Sequence, residues 1–146
     1  FFYSRPTLAT GRGNILKTLQ NYPLGEILLV TPTFNINTAK AYGMCKPRMH
    51  THSIQPTTIT MLASEIENQF HESLFSSYPE LNKICQLLLE FGALAAAVSG
   101  SGSTVFGLFD DYQERNFAMI KLQELTDYTS IPCKMLSSHN YFSSQN

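Results

Sequence analysis

The chain of 146 residues contains no tryptophan, only three cysteines and few charged side chains, which make up 14% of its residues. Cys45, Cys85 and Cys133 are odd in number and far apart, and no two of them form a Cys-x-x-Cys pair. This spacing argues against a disulfide framework and indicates a reducing compartment. Hydrophobic residues make up 43% of the chain, which is enough to build the core of one domain.

The sequence also lacks an excess of basic charge and a long apolar run. Ten Lys and Arg residues against eleven Asp and Glu residues give a net charge of −1, whereas nucleic-acid binding draws on clustered basic charge. No apolar run approaches the roughly 20 residues that span a bilayer. The longest, over residues 91–98, is interrupted by Gly92 and predicts a buried strand. We therefore expect neither a nucleic acid nor a membrane as a partner.

The chain begins Phe1-Phe2-Tyr3, without an initiator methionine, a signal peptide or a transit-like segment. Two leading aromatic side chains would be exposed at a free terminus without a structural reason. We therefore expect the chain to continue upstream of Phe1.

Hydrophobic periodicity and turn residues predict an α+β fold. The elements follow in the order strand, helices, strand, strand, helix, strand, which predicts a ferredoxin-like antiparallel sheet with helices packed on one face. This layout hosts regulatory, RNA-binding and catalytic proteins alike, so it names no function. The first thirteen residues predict a loop or a short edge strand. The predicted strands cover 26–31, 95–99, 104–109 and 131–136. The predicted helices cover 37–42, 61–70, 79–91 and 111–125. A loop is predicted over 44–58 and a frayed tail over 143–146.

The loop Gly100-Ser101-Gly102-Ser103, followed by Thr104, is the segment that could carry chemistry. Glycine permits the positive φ angles that let backbone N–H groups converge on an anion, and it allows a phosphate to approach the backbone. We expect Gly102 to have a positive φ, and we expect a Cβ there to block close approach to the phosphate or to the facing glycine loop. The alternative is a flexible hairpin between two strands, since glycine-rich loops are common turns.

The same segment resembles a known family. Gly92-Ala93, a run of small apolar residues and then the stretch from Ser99 to Gly107 are similar to the third conserved motif of the GHMP kinases. Other segments match further blocks of the family in the same order: Ala9-Thr10-Gly11-Arg12-Gly13, Leu29-Val30-Thr31-Pro32, Asn37-Thr38-Ala39, Tyr42 and Tyr78-Pro79-Glu80-Leu81.

The resemblance implies a small-molecule kinase that uses ATP and Mg²⁺, in the branch whose substrate carries a cytidine diphosphate and serves isoprenoid precursor synthesis. It implies that residues 1–25 are a remnant of an N-terminal ATP-binding domain with its linker, and that residues 26–146 are the C-terminal domain. The family's ATP loop, lysine and catalytic aspartate would lie upstream of Phe1. We therefore expect no catalytic residue in this chain, the missing N-terminal domain as its partner, and a location in the bacterial cytoplasm or the plastid stroma.

Two groups of binding residues follow from the resemblance. Tyr42 matches the aromatic residue that stacks on the cytosine ring of the substrate, and Thr38 lies one helical turn before it, so both could face one pocket. Residues Gly100 to Thr104 would lie beside the phosphates. Without the resemblance, Tyr42 would be read as a half-buried aromatic that packs on the sheet.

Other functions are open at this stage. One is another GHMP kinase, of the homoserine, mevalonate or galactose type; another is a non-catalytic ferredoxin-like binding module. An RNA-binding version should carry a basic aromatic strand, and residues 104–109 contain no Lys or Arg. His50 and His52 follow Cys45 but lack the spacing of a metal site, so we expect ordinary polar surface and no bound metal.

Overall fold

A computed structural model describes residues 6–19, 22–46 and 56–135. The strands are β1 (Thr7–Thr10), β2 (Ile15–Thr18), β3 (Glu26–Thr31), β4 (Ala95–Val98), β5 (Val105–Phe109) and β6 (Thr129–Lys134). The helices are α1 (Thr38–Met44), α2 (Ile59–Ser64), α3 (His71–Ser77), α4 (Pro79–Glu90) and α5 (Tyr112–Leu125).

Four of the strands form an antiparallel sheet in the order β4-β5-β3-β6. Strand β3 lies inside the sheet, with Val30 opposite Val105 of β5 and Ser130 of β6. Strand β4 forms one edge. The connections β3-helices-β4 and β5-α5-β6 give the split β-α-β arrangement, so the predicted ferredoxin-like fold is confirmed.

The core lies between this sheet and helices α4 and α5. Leu28 and Val30 alternate along β3 and are fully buried, as the period of two in a strand requires. Helix α4 faces them with the predicted apolar stripe, whose buried members are Leu81, Ile84, Cys85 and Leu88. Burial raises the pKa of the Cys85 thiol to about 11, so this cysteine is a protonated core residue.

A separate two-stranded antiparallel sheet precedes the domain. Strands β1 and β2 pair from Thr7 with Thr18 to Thr10 with Ile15. The chain reverses through Gly11 and Gly13, which have φ angles of +66° and +81°. The sequence predicted a loop or one short edge strand over the first thirteen residues, whereas the structure has a hairpin. The missing signal is in β2, whose residues Ile15–Thr18 are all exposed and carry no apolar alternation.

The predicted helix over 61–70 is wrong. Helix α2 ends at Ser64, and α3 begins at His71. Between them the Asn68 Oδ1 atom accepts the backbone N–H of Phe70 at 2.9 Å, a side-chain bond that competes with helical bonding. Leu62, Ile66 and Phe70 are spaced four residues apart, which predicted a single helix, but Leu62 lies in α2 and the other two lie in the connection to α3.

Smaller boundary differences occur elsewhere. Helix α1 continues through Gly43 to Met44, and β6 begins two residues before the predicted Ile131. Residues 47–55 of the predicted loop, residue 136 of the predicted strand and the predicted tail over 143–146 lie outside the described residues. In the ranges that are described, no helix has both the length and the apolar character needed to cross a bilayer.

Candidate functional site

The glycine loop, residues 99–104, joins β4 to β5 as a closed turn. The Ser99 N–H donates to the Thr104 carbonyl at 2.8 Å, and the Gly102 N–H donates to the Ser99 carbonyl at 3.0 Å. Gly100 and Gly102 have φ angles of +55° and +80°, so the predicted positive φ at Gly102 is confirmed. Both glycines are required by the backbone, because other residues rarely adopt this region.

The two glycines differ in what surrounds them. A Cβ on Gly102 would lie 3.2 Å from Ile36 Cδ1 and 3.3 Å from Val98 Cγ1. A Cβ on Gly100 would have no atom of the described chain within 4 Å. A Cβ on Gly102 would therefore point toward apolar side chains of the domain interior. The predicted obstruction of a phosphate by a Cβ at this position stays a prediction.

Helix α1 lies against the glycine loop. The Thr38 and Ser101 hydroxyl oxygens are 3.3 Å apart, and Thr31 and Thr104 form a similar pair at 3.1 Å. The start of α1 is fixed by Asn37, whose side chain accepts the Lys40 N–H at 3.1 Å. The structure therefore brings Thr38 of the predicted substrate side within hydrogen-bonding distance of Ser101 in the predicted phosphate side.

Tyr42 lies one turn after Thr38 and is 65% exposed. Its ring meets the ring of Phe70 edge-on, with centroids 5.0 Å apart and planes at 82°. This is a favourable aromatic geometry that leaves much of the Tyr42 surface open. Tyr42 is therefore not a core residue, and its ring is available to a planar ligand.

Two side chains that the sequence did not single out hold the glycine loop from the other side. Asn68 Nδ2 donates to the carbonyl oxygens of Val98 and Gly100, at 2.6 and 2.8 Å. His71 Nε2 accepts the Val98 N–H at 3.0 Å. The incorrect prediction of a helix over 61–70 explains why both residues were missed. It placed Asn68 inside a helix and His71 at the exposed end of one.

The environment of His71 favours its neutral form. Its ring stacks on Phe75, with centroids 4.7 Å apart, and burial lowers the pKa of the imidazole below its ordinary value of 6.5, although the charge of Glu67 opposes that shift. A neutral ring matches the observed bond, in which Nε2 acts as an acceptor.

A groove of about 690 Å³ lies next to the loop, between the β1-β2 hairpin and the four-stranded sheet. Neither Thr38 nor Tyr42 lines it, so the predicted substrate residues lie outside the groove. Its walls include Leu8, Tyr22, Leu62, Asn68, Gly100 and Phe106.

Side chains that could bind a metal ion lie apart from one another in the described ranges. In the part of the chain that is described, no three His, Cys, Asp or Glu side chains cluster as metal ligands. His50 and His52 lie outside that part. Cys45 directs its thiol at the Gln69 carbonyl, 3.9 Å away.

Known proteins are similar to this chain in sequence and in fold. Residues 59–125 match the family model described as "GHMP kinases C terminal". The chain is 37% identical over 126 residues to a 4-diphosphocytidyl-2-C-methyl-D-erythritol kinase of Porphyromonas gingivalis, and 38% identical over 117 residues to one of Bacteroides fragilis. Residues 59–125 belong to the C-terminal domain family of the GHMP kinases. The resemblance seen in the glycine loop is therefore confirmed for the family.

These alignments also define how much of the relatives the chain represents. They cover 82% and 75% of this chain but only 46% and 41% of the two relatives. A relative from Thermodesulfovibrio yellowstonii gives the same proportions, with 33% identity over 82% of this chain and 46% of its own length. The chain thus spans somewhat less than half the length of these GHMP kinases.

Solved GHMP structures support the fold alone. The crystal structure of a 4-(cytidine 5'-diphospho)-2C-methyl-D-erythritol kinase matches 90% of the chain and 50% of its own, with a TM-score of 0.68 and 21% identity. A homoserine kinase from Cytophaga hutchinsonii matches 89% of the chain and 47% of its own, with a TM-score of 0.67 and 16% identity. The two scores are nearly equal, so fold similarity does not choose between the two acceptors.

Proposed function

We propose that this chain is the C-terminal part of an ATP-dependent kinase that phosphorylates 4-diphosphocytidyl-2-C-methyl-D-erythritol in non-mevalonate isoprenoid precursor synthesis. The observation that carries the proposal is the 3.3 Å approach of Thr38 Oγ1 to Ser101 Oγ. This contact brings helix α1, which carries the exposed ring of Tyr42, next to the glycine loop. The relatives named for this activity, 33–38% identical over three quarters or more of the chain, favour this acceptor over others.

On the substrate side, we propose that Tyr42 stacks on the cytosine ring and that Thr38 provides a polar contact beside it. The ring is held by Phe70 at its edge and is exposed, as a stacking platform requires. Stacking of a base on an aromatic side chain contributes roughly 1–3 kcal/mol. That is enough to distinguish an acceptor with a base from one without.

On the phosphate side, we propose that residues 100–104 lie beside the phosphates of ATP. The loop fits such a group, because it combines two glycines with the partly exposed hydroxyl residues Ser101 and Thr104, whereas Ser103 is buried. Glycine backbone and hydroxyl donors are the usual partners of phosphate oxygens. ATP would supply the transferred phosphoryl group.

The remaining machinery is proposed to lie outside residues 26–146. Phosphoryl transfer depends on positioning and on neutralising phosphate charge, commonly through Mg²⁺ held by carboxylates. The alignments reach only 46% and 41% of the length of the two relatives, so much of each relative has no counterpart in this chain. We therefore propose that Mg²⁺, the catalytic aspartate and most of the ATP site belong to sequence preceding Phe1, with residues 1–25 as the remnant of that domain. Since the relatives are bacterial, we propose a bacterial cytoplasmic location.

The test is an assay of the complete protein with ATP, Mg²⁺ and three acceptors: the cytidyl substrate, homoserine and mevalonate. We expect turnover with the cytidyl substrate and at most trace turnover with the others. Preferential phosphorylation of homoserine or mevalonate would replace the proposed acceptor. Failure with all three, by a protein that is folded, would contradict this proposal and favour a non-catalytic binding module.

A further inference from the structure

The four residues 68–71, here called the linking segment, comprise the end of the connection after α2 and the first residue of α3, and they lie beside the edge strand β4. The Asn68 side chain makes three hydrogen bonds. Its Nδ2 donates to the Val98 and Gly100 carbonyls at 2.6 and 2.8 Å, while its Oδ1 accepts the Phe70 N–H at 2.9 Å. Exchanging the oxygen and nitrogen would break all three bonds, so this amide has one orientation.

His71 completes the contact with β4. Because β4 is an edge strand, the outer backbone groups of Val98 have no neighbouring strand to bond with. The linking segment replaces that strand. His71 Nε2 accepts the Val98 N–H at 3.0 Å, and Asn68 Nδ2 donates to the Val98 carbonyl oxygen. Both polar groups of the residue that ends β4, just before the glycine loop, are therefore held by side chains.

The same segment also reaches the predicted substrate side. Phe70 lies between Asn68 and His71 in sequence, and its ring contacts Tyr42 edge-on at 5.0 Å between centroids. Four consecutive residues thus touch the start of the glycine loop and the exposed ring of α1. A shift of this segment would move both.

We infer that Asn68 and His71 are positioning residues for phosphoryl transfer, which hold the glycine loop in register with Tyr42. The inference rests on the proposed function. Neither side chain needs to touch a substrate in this role. Each acts through Val98, and Asn68 also through Gly100. Their loss should disturb the loop locally and slow the reaction without abolishing the domain.

Three variants of the complete protein separate the bonds from the bulk of the side chains. Asn68→Asp keeps the size of the side chain but removes both donors and faces a carboxylate toward two carbonyl oxygens. His71→Phe keeps an aromatic ring against Phe75 but has no acceptor. His71→Gln loses the ring but keeps an acceptor at a distance from the backbone similar to Nε2, so it serves as the matched rescue variant.

Two measurements are made on each variant: hydrogen exchange of the Val98 amide and steady-state kinetics with ATP and the cytidyl acceptor. In His71→Phe we expect Val98 to exchange about tenfold faster, as for the loss of one hydrogen bond. We expect kcat to fall by about 10- to 100-fold, since small misplacements of reacting groups are costly, while both KM values stay within about threefold. Asn68→Asp should show the same kinetic pattern, and His71→Gln should recover most of kcat.

Each other outcome overturns the inference. Unchanged Val98 exchange in His71→Phe would show that the bond does not hold the strand. Faster exchange with an unchanged kcat would make the segment structural only, as would equal defects in His71→Gln and His71→Phe. A wild-type protein that phosphorylates none of the acceptors would instead overturn the proposed function, and the catalytic role with it. The exchange data would still show whether the linking segment holds the loop.

Discussion

At the scale of single residues, Gly100 and Gly102 form a natural comparison. Both have a positive φ, so replacement of either by alanine introduces backbone strain of about 1 kcal/mol. Only Gly102 also faces neighbours, because its new Cβ would lie 3.2 Å from Ile36 and 3.3 Å from Val98. The two sites therefore separate strain from crowding.

We predict that Gly102→Ala destabilises the fold by about 2–3 kcal/mol, the sum of backbone strain and modest overpacking. Gly100→Ala should cost only about 1 kcal/mol, because it carries the strain alone. Urea unfolding of both variants measures the difference. Equal losses would mean that Ile36 and Val98 move aside without cost. A kcat loss that is large for Gly100→Ala and small for Gly102→Ala would assign the phosphate side to Gly100.

Tyr42 offers a second test at this scale. If its ring stacks on cytosine, Tyr42→Ala in the complete protein should weaken binding of the cytidyl substrate by roughly 1–3 kcal/mol, and Tyr42→Phe should be nearly neutral. The affinity for ATP should not change. Calorimetric titration of each ligand gives both numbers. Equal losses in the two variants would point to a hydroxyl hydrogen bond, and no loss in either would exclude Tyr42 from the substrate site.

At the scale of elements, helix α5 is tied to the sheet by one nearly buried cation. Arg115 is 8% exposed, and its Nη1 donates to the Glu26 carboxylate of β3 and to the Cys133 carbonyl of β6. Lys134 approaches the same carboxylate at 3.4 Å, but its side chain is 71% exposed. The two cations share one partner and differ in burial.

We predict that Arg115→Met destabilises the protein by about 1–3 kcal/mol, because it leaves Glu26 with a weaker partner in a poorly solvated position. Lys134→Met should cost less than about 0.5 kcal/mol, since an exposed pair is screened by water and salt. Denaturant unfolding at low and high salt compares them. A larger loss for Lys134→Met would mean that the exposed lysine, not the arginine, compensates the carboxylate.

The sequence was sufficient for the elements whose periodicity is unbroken. Strand β3 has the predicted bounds, and α4 presents the predicted apolar face, because burial on one side imposes a period on the sequence. The linking segment escaped prediction for a physical reason. A helical row of apolar residues continues across it, while the Asn68 bonds that break the helix depend on carbonyls about thirty residues away.

The candidate site divides in the same way. The positive φ of Gly102 could be predicted from local composition, and the nearness of Thr38 to Tyr42 follows from helical spacing. The contact between Thr38 and Ser101 spans 63 residues, and no local pattern announces it. The direction in which Gly102 would project a side chain also depends on the packing of Ile36, which only the fold determines.

At the scale of the whole molecule, the chain has the features of a domain that forms part of a larger site. Its glycine loop faces α1, and a groove of about 690 Å³ separates the β1-β2 hairpin from the sheet. The hairpin leaves Leu8, Ile15 and Leu16 exposed, at 38%, 60% and 46%. Exposed apolar side chains on a two-stranded sheet are more typical of a surface that packs against another domain than of a surface that faces solvent. Together with relatives about twice as long, these features favour a protein whose reaction needs more than these residues.

We therefore predict that the 146-residue chain alone transfers no phosphate. Phosphoryl transfer requires a bound donor, its metal ion and an oriented acceptor at once, and the chain aligns with less than half the length of relatives named for such a kinase. The chain is purified, its folding is checked by circular dichroism, and radiolabelled ATP is supplied with Mg²⁺ and the cytidyl substrate; product should not exceed that of a mock preparation. A kinase of the relatives' full length that contains this chain should be active under the same conditions. Product formation by the isolated chain, abolished by Thr38→Val and by Gly100→Val, would place a complete active site within these residues and refute the division proposed here.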